Sequence, residues 1–262
     1  MKEKWALILG ASSGFGGATA KRLAEDGFNI FGVHLDRRPT LPLAEEVQNS
    51  VRASGREAVF FNMNAADAMK RREAVDKMKD ILETRDAKIA VLLHSLAFGA
   101  LKPLFGDSPE ESLNKNSIEM TMDVMANSLI YWAQDIYFAG LFADRSRVFA
   151  LSSAGSRVQW AAYGAVSAAK SALESYCRQI NFELASRGIT ANAIMAGVTD
   201  TPALRKIPGN AQMIDVALSH NPSKRLTTPA DVANAISLLS DERAAWIAGD
   251  TILVDGGEIT GG

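Results

Sequence analysis

The chain is poor in the residues that staple, ligate or anchor a protein. Its 262 residues include one cysteine, Cys177, so no internal disulfide can form, which fits a reducing compartment. There are three histidines, His34, His94 and His220, and no two stand at a metal-ligand spacing such as H-x3-H, so no metal site is expected. No apolar run reaches the ~20 residues that cross a bilayer. The apolar part of the opening M-K-E-K-W-A-L-I-L-G is too short for a signal peptide, and a cytoplasmic location is expected. Excess charge is missing too: 28 basic against 30 acidic side chains leave −2, which gives no general attraction to nucleic acid or to an anionic membrane. No internal repeat, low-complexity tract or linker divides the chain.

What is present is an ordinary globular composition, 47% hydrophobic and 22% charged, at a length that suits one α/β domain. Apolar runs of strand length at 5–9, 29–34, 58–62, 89–94, 147–152, 190–195 and 251–254 alternate with helical periodicity at 16–26, 43–54, 68–84, 118–140, 163–186 and 229–239. Several of the strands are apolar nearly throughout, as in a parallel sheet covered on both faces. The alternation predicts a doubly wound parallel α/β sheet over 1–262 as a single domain. Residues 197–225 break the rhythm with Pro202, Pro208 and Pro222. They read as a short substrate lid over the carboxyl edge, where open α/β sheets bind ligands.

The first strand runs into G-A-S-S-G-F-G. Gly10, Gly14 and Gly16, with Ser12, Ser13 and Phe15 between and beside them, form a candidate pyrophosphate cradle. Glycine lets the backbone turn sharply and approach the anion, and the helix that follows offers free N–H groups and a positive end. The second strand ends in H-L-D-R-R, where an adenosine ribose would lie. Asp36 there argues for NAD, whose free 2′-hydroxyl a carboxylate can accept; Arg37 and Arg38 argue for NADP, whose 2′-phosphate a guanidinium can pair. Asp36 stands about two residues past the usual carboxylate position, so NADPH is favoured, with NADH as the alternative.

These motifs are joined by the double serine Ser152–Ser153, by Tyr163 and Lys170, by A-G-V-T-D-T from Ala196 to Thr201, and by the ending G-D-T-I-L-V-D-G-G. Together they resemble the short-chain dehydrogenase/reductase family over essentially the whole chain. The resemblance implies a Rossmann fold, with Tyr163, Lys170 and Ser153 as catalytic residues and Lys170 also bonding the nicotinamide ribose. It further implies cofactor contacts from Ser95, Leu96 and Ala97 after the fourth strand, and from Gly197, Val198 and Thr201 around the nicotinamide amide. Asn64 and Ala65, after the third strand, are candidates for the adenine. Family members assemble through their long helices, which implies a homotetramer.

Three departures from the majority pattern point one way. H-S-L-A-F-G, from His94 to Gly99, replaces N-N-A-G. Tyr163 precedes Lys170 by seven residues rather than four, and the majority tyrosine position holds Val166. Met125 stands where a central asparagine is common, with Asn127 about two positions off. Bacterial enoyl-acyl-carrier-protein reductases are similar in these respects. Many of them, however, carry a second tyrosine where this chain has Ser153, the majority-family residue.

Four and seven residues both return a helix to nearly the same face, but their rises are ~6 Å and ~10.5 Å. A displaced phenol suits a reaction in which hydride enters the β-carbon and charge appears two carbons away, on a thioester oxygen. The leading expectation is therefore enoyl-thioester reduction, with an acyl carrier protein as partner. Carbonyl reduction is the runner-up, and a dinucleotide sensor without catalysis is the third reading. Lys170 is expected to lower the Tyr163 pKa. Trp160, Met195, Ala196, Leu204, Ile207 and Met213 are candidates for an acyl tunnel, and Lys206, Lys224 and Arg225 for contact with an acidic carrier.

Overall fold

Seven strands carry the architecture: β1 (Lys4–Leu9), β2 (Phe28–His34), β3 (Ala58–Asn62), β4 (Lys88–His94), β5 (Phe142–Ser153), β6 (Ile189–Ala196) and β7 (Thr251–Val254). In the computed structural model, which describes residues 3–260, they form one parallel sheet in the order β3-β2-β1-β4-β5-β6-β7. Eight helices flank it: α1 (Gly14–Glu25), α2 (Leu41–Ala53), α3 (Ala68–Glu83), α4 (Lys115–Met122), α5 (Ser128–Phe138), α6 (Gly164–Leu184), α7 (Asn210–His220) and α8 (Pro229–Leu239).

Side chains alternate across a strand, so one buried strand feeds two cores. Trp5, Leu7 and Leu9 of β1 pack with Met78 of α3, Trp132 of α5 and Leu173 of α6. Ala6 and Ile8 pack on the opposite face with Leu23 of α1, Val51 of α2 and Ile236 of α8. The strand order reverses at β1, which lies between β2 and β4. That switch point opens the crevice where doubly wound sheets take their ligands.

All seven expected strands form, although β5 begins five residues early because Phe142 pairs with Ile89 of β4. The helix expected over 118–140 is instead two helices. Asn114 caps α4 by accepting from Ser117 N at 2.9 Å, and a π-helical turn over Asp123–Asn127 separates α4 from α5. Such a turn is defined by its backbone hydrogen bonds, which an apolar period does not reveal. The segment after β6 carries a short 3₁₀ turn, Leu204–Lys206, and α7. Among the described residues no helix is long and apolar enough to cross a membrane.

Candidate active site

The glycine loop follows β1 at the switch point. Gly10 sits at φ 91° and Gly14 at φ 54°, in the left-handed region that disfavours side chains. A Cβ on Gly10 would run into the Ser95 carbonyl, and one on Gly16 into the Gly10 carbonyl, with Ser95 Cβ at 3.3 Å. The loop therefore lies directly against the residues that follow β4, so Gly10, Gly16, Ser95 and Leu96 line one wall, with Ala97 exposed just beyond. Ser13 is extended and makes no side-chain cap, Phe15 packs against the α1-side core, and the first turn of α1 holds no acidic residue. A tight, uncapped helix start free of carboxylates fits the pyrophosphate of a dinucleotide.

At the end of β2 the Asp36 carboxyl faces that loop. Burial raises its pKa, but hydrogen bonding from Thr40, Ser12 and His34 outweighs burial and holds it below the usual carboxylate value. The His34 Nδ1–Asp36 Oδ2 distance is 2.9 Å. Arg37 and Arg38 are exposed beside it. Asn64 is exposed and accepts from Ala66 N at 3.0 Å. Ala65 is buried, and its carbonyl accepts from Trp132 Nε1 at 2.9 Å.

Tyr163 is the residue before α6, at φ −104° and ψ 1°, and not its first helical residue as the sequence reading had it. Its carbonyl still takes the first helical bond, from Ser167 N at 2.8 Å. Ala162 precedes it at φ 60°, a strained setting for a residue with a Cβ. The Tyr163 hydroxyl lies 3.5 Å from Ser153 Oγ, and a Cβ on Gly155 would collide with the tyrosine ring. Burial pushes the phenol up, while the Ser153 hydroxyl pulls the other way. The phenol therefore stands above its ordinary value, where the sequence led us to expect a lowered one. The Lys170 ammonium is buried and donates to the Leu151 carbonyl at 2.6 Å, and burial brings its pKa down to about 8, against a raising influence from Glu174. A protonated phenol at neutral pH is the state a hydrogen-bond donor needs.

Glu174, four residues past Lys170, was missed in the sequence. Its Oε1 accepts from Ser152 at 2.5 Å and from Ser156 at 2.6 Å, pinning the turn that carries Ser153. The i, i+4 spacing to Lys170 was the available signal.

The positions that depart from the majority pattern converge. A Cβ on Gly99 would come within 2.8 Å of Met125 Sδ, 2.8 Å of Thr121 Cγ2 and 2.9 Å of Val166 Cγ2. Val166 and Met125 are both buried, so the places of the majority tyrosine and asparagine are filled by one apolar contact. Asn127 points elsewhere and accepts from the Tyr176 hydroxyl at 2.8 Å. Beside them His94 is fully buried, with Nε2 2.9 Å from Ser128 Oγ; that hydroxyl donates to Val124 O at 2.8 Å within the π turn, so Nε2 is the donor to Ser128. Burial, reinforced by the Lys170 charge, lowers the His94 pKa to about 3 and keeps the ring neutral.

The run after β6 closes the crevice. Gly197 N donates to Val254 O at 3.2 Å, and Thr199 Oγ1 donates back to Gly197 O at 3.0 Å. Thr201 is buried, with Cγ2 3.8 Å from where a Cβ on Gly14 would lie, so this run meets the glycine loop. The Val198 N–H is directed at Glu258. Of the expected tunnel residues, Met195 is fully buried in β6 and Ala196 belongs to the α1-side core. Trp160 Nε1 donates to Pro208 O at 3.0 Å, joining the loop before Tyr163 to the segment before α7.

A family model described as enoyl-(acyl carrier protein) reductase matches residues 10–258. The chain belongs to the short-chain dehydrogenase/reductase family. It is an NAD(P)-dependent oxidoreductase. It is 29% identical to a diacetyl reductase [(S)-acetoin forming] of Staphylococcus epidermidis, over 97% of this chain and 98% of that protein. It is 27% identical to a 1-cyclohexenylcarbonyl-CoA reductase of Streptomyces collinus, over 98% and 87% of the two chains. A short-chain dehydrogenase from Burkholderia cenocepacia J2315, solved in complex with NADP, superposes with a TM-score of 0.80 at 25% identity, covering 98% of each chain. Within this family a nicotinamide dinucleotide is the cofactor, and the glycine loop and crevice described above fit it.

Proposed function

We propose that the chain reduces the carbon–carbon double bond of an enoyl thioester with NADPH, as an enoyl-acyl-carrier-protein reductase of fatty acid synthesis. The observation that carries this reading is the phenol at the head of α6 combined with the apolar contact of Val166, Met125 and Gly99 where the majority family keeps its proton machinery. The nicotinamide would supply hydride to the β-carbon when bound, and a proton taken from solvent at the α-carbon would complete the saturated product. Tyr163 donates a hydrogen bond to the thioester oxygen as enolate charge develops there. Such a donor aimed at developing charge contributes about 3 kcal/mol to the transition state. Ser153 steadies the phenol from 3.5 Å. Lys170, which here donates to the Leu151 carbonyl, would hold the ribose hydroxyls of the cofactor. Arg37 and Arg38, exposed beside an Asp36 already engaged by Thr40, Ser12 and His34, favour a 2′-phosphate and hence NADPH over NADH.

Carbonyl reduction is the second reading. The Ser153 hydroxyl beside Tyr163 favours it, as does the similarity to a diacetyl reductase; the similarity to a 1-cyclohexenylcarbonyl-CoA reductase favours the first. Oxidation of NADPH and NADH with crotonyl and acetoacetyl thioesters in parallel separates the two, and turnover of the ketoacyl substrate alone would overturn the enoyl assignment. Tyr163→Phe should cut turnover far more than it weakens NADPH binding.

The natural substrate carrier in this reading is acyl carrier protein, approached over a lid of residues 197–225 that carries Lys206, Lys224 and Arg225. A homotetramer is proposed through α5 and α6, whose Phe138 and Phe182 are 79% and 83% exposed in the single chain. Sedimentation or light scattering gives the mass. A cytoplasmic setting agrees with one buried, unpaired cysteine.

A further inference from the structure

The carboxyl-terminal turn ends in a carboxylate that points back into the protein. Glu258 follows the D-G-G run, is 8% exposed, and aims both oxygens at the Val198 N–H, with Oε2 at 3.0 Å and Oε1 at 3.2 Å. The turn that delivers it is self-supporting. Asp255 accepts from Gly257 N at 2.9 Å and from Ile259 N at 3.0 Å, and its carbonyl accepts from Glu258 N at 3.2 Å. That same Asp255 carbonyl accepts from Asn221 Nδ2 at 2.9 Å, just past the end of α7. One short turn thus grips the lid-side segment and the run after β6 together.

Space around that run is arranged for this contact. A Cβ on Gly197 would collide with Thr227 Oγ1 and come within 2.8 Å of Glu258 Oε2 and 3.0 Å of Asp255 Cα. Glycine at 197 therefore lets the carboxylate reach the backbone. Across the run lie Thr199 and Thr201, both buried, with Thr201 against the glycine loop. Burial and the nearby Asp255 raise the Glu258 pKa, while the Val198 amide and His220 oppose them.

We propose that Glu258 is a positioning residue for the nicotinamide half of the cofactor: from behind the crevice its carboxylate fastens the Val198 amide and fixes the turn that presents Thr199 and Thr201. The proposal rests on the reading of 196–201 as the nicotinamide wall. A carboxylate tied to a backbone N–H is a charge-assisted bond, and freeing that N–H lets the turn relax toward other arrangements. The adenosine half of the crevice, built from the glycine loop and the end of β2, does not touch Glu258.

The test compares two ligands by titration calorimetry: NADPH, and 2′-phospho-ADP-ribose, which lacks the nicotinamide. Glu258→Ala should weaken NADPH by about 10- to 100-fold, the loss of one charge-assisted bond, and leave the fragment within about twofold. Glu258→Gln keeps an acceptor oxygen at the same reach without the charge and should restore part of the NADPH affinity. Glu258→Asp keeps the charge but withdraws it by one methylene, and should show the selective loss again; it carries the test if the alanine variant does not fold. Equal weakening of both ligands, or no change in either, overturns the proposal. Wild-type protein that binds the fragment as tightly as NADPH would instead overturn the nicotinamide-wall reading beneath it.

Discussion

Replacing Lys170 by methionine removes a buried ammonium while keeping most of its volume. In the folded chain burial brings this amine from its ordinary 10.5 to about 8, and in the unfolded chain it returns to the ordinary value. Below pH 8 both states carry the proton and the folded state bears the full cost of the buried charge. Between about pH 8 and 10.5 the unfolded chain binds one proton more, so stability rises with pH at up to about 1.4 kcal/mol per pH unit. Linkage with these two values makes the wild type gain about 1.3 kcal/mol on the variant between pH 7 and pH 9. Methionine also leaves the Leu151 carbonyl, now held at 2.6 Å, without its donor. That loss is a constant offset of about 1–3 kcal/mol and does not change with pH. Urea unfolding of both proteins across this range, read as the difference in unfolding free energy, cancels the titrating groups that do not feel Lys170. A difference that stays flat, or that falls as pH rises, would refute the claim that burial dominates at Lys170.

His94 gives the acidic counterpart. Its folded pKa of about 3 lies below the ordinary 6.5, so the unfolded chain binds the extra proton as pH falls through that window, and stability is lost from about pH 6.5 downward. His94→Gln should flatten this acid limb, as read by unfolding midpoints between pH 4 and 7, and an unchanged limb would argue that another group unfolds the protein. At Ala162, held at φ 60°, valine should cost about 1–3 kcal/mol of stability and glycine much less; equal midpoints for the two variants would contradict the strain. Arg37→Ala combined with Arg38→Ala should shift the ratio of NADPH to NADH kcat/KM toward NADH, and an unchanged ratio would exclude these arginines as the 2′-phosphate contacts.

Seven apolar strand runs and the glycine turn at 10-14-16 were legible because strand and loop chemistry is local. Trp5 and Ala6 declare by alternation alone that β1 is covered on two sides. Other features needed the tertiary structure because their partners are distant in the chain. The π turn at Asp123–Asn127 is a change in backbone hydrogen bonding, which the residue pattern alone does not reveal. The Lys170 pKa depends on how completely α6 is buried against β5, and burial outweighed the simple expectation of a charge placed beside a phenol. Met125 and Val166 look like ordinary core residues until Gly99, from a third segment, brings them together. Glu258 reads as one acidic residue near a chain end. Only the fold, by laying the last turn behind β6, carries it 60 positions back along the sequence to the Val198 amide.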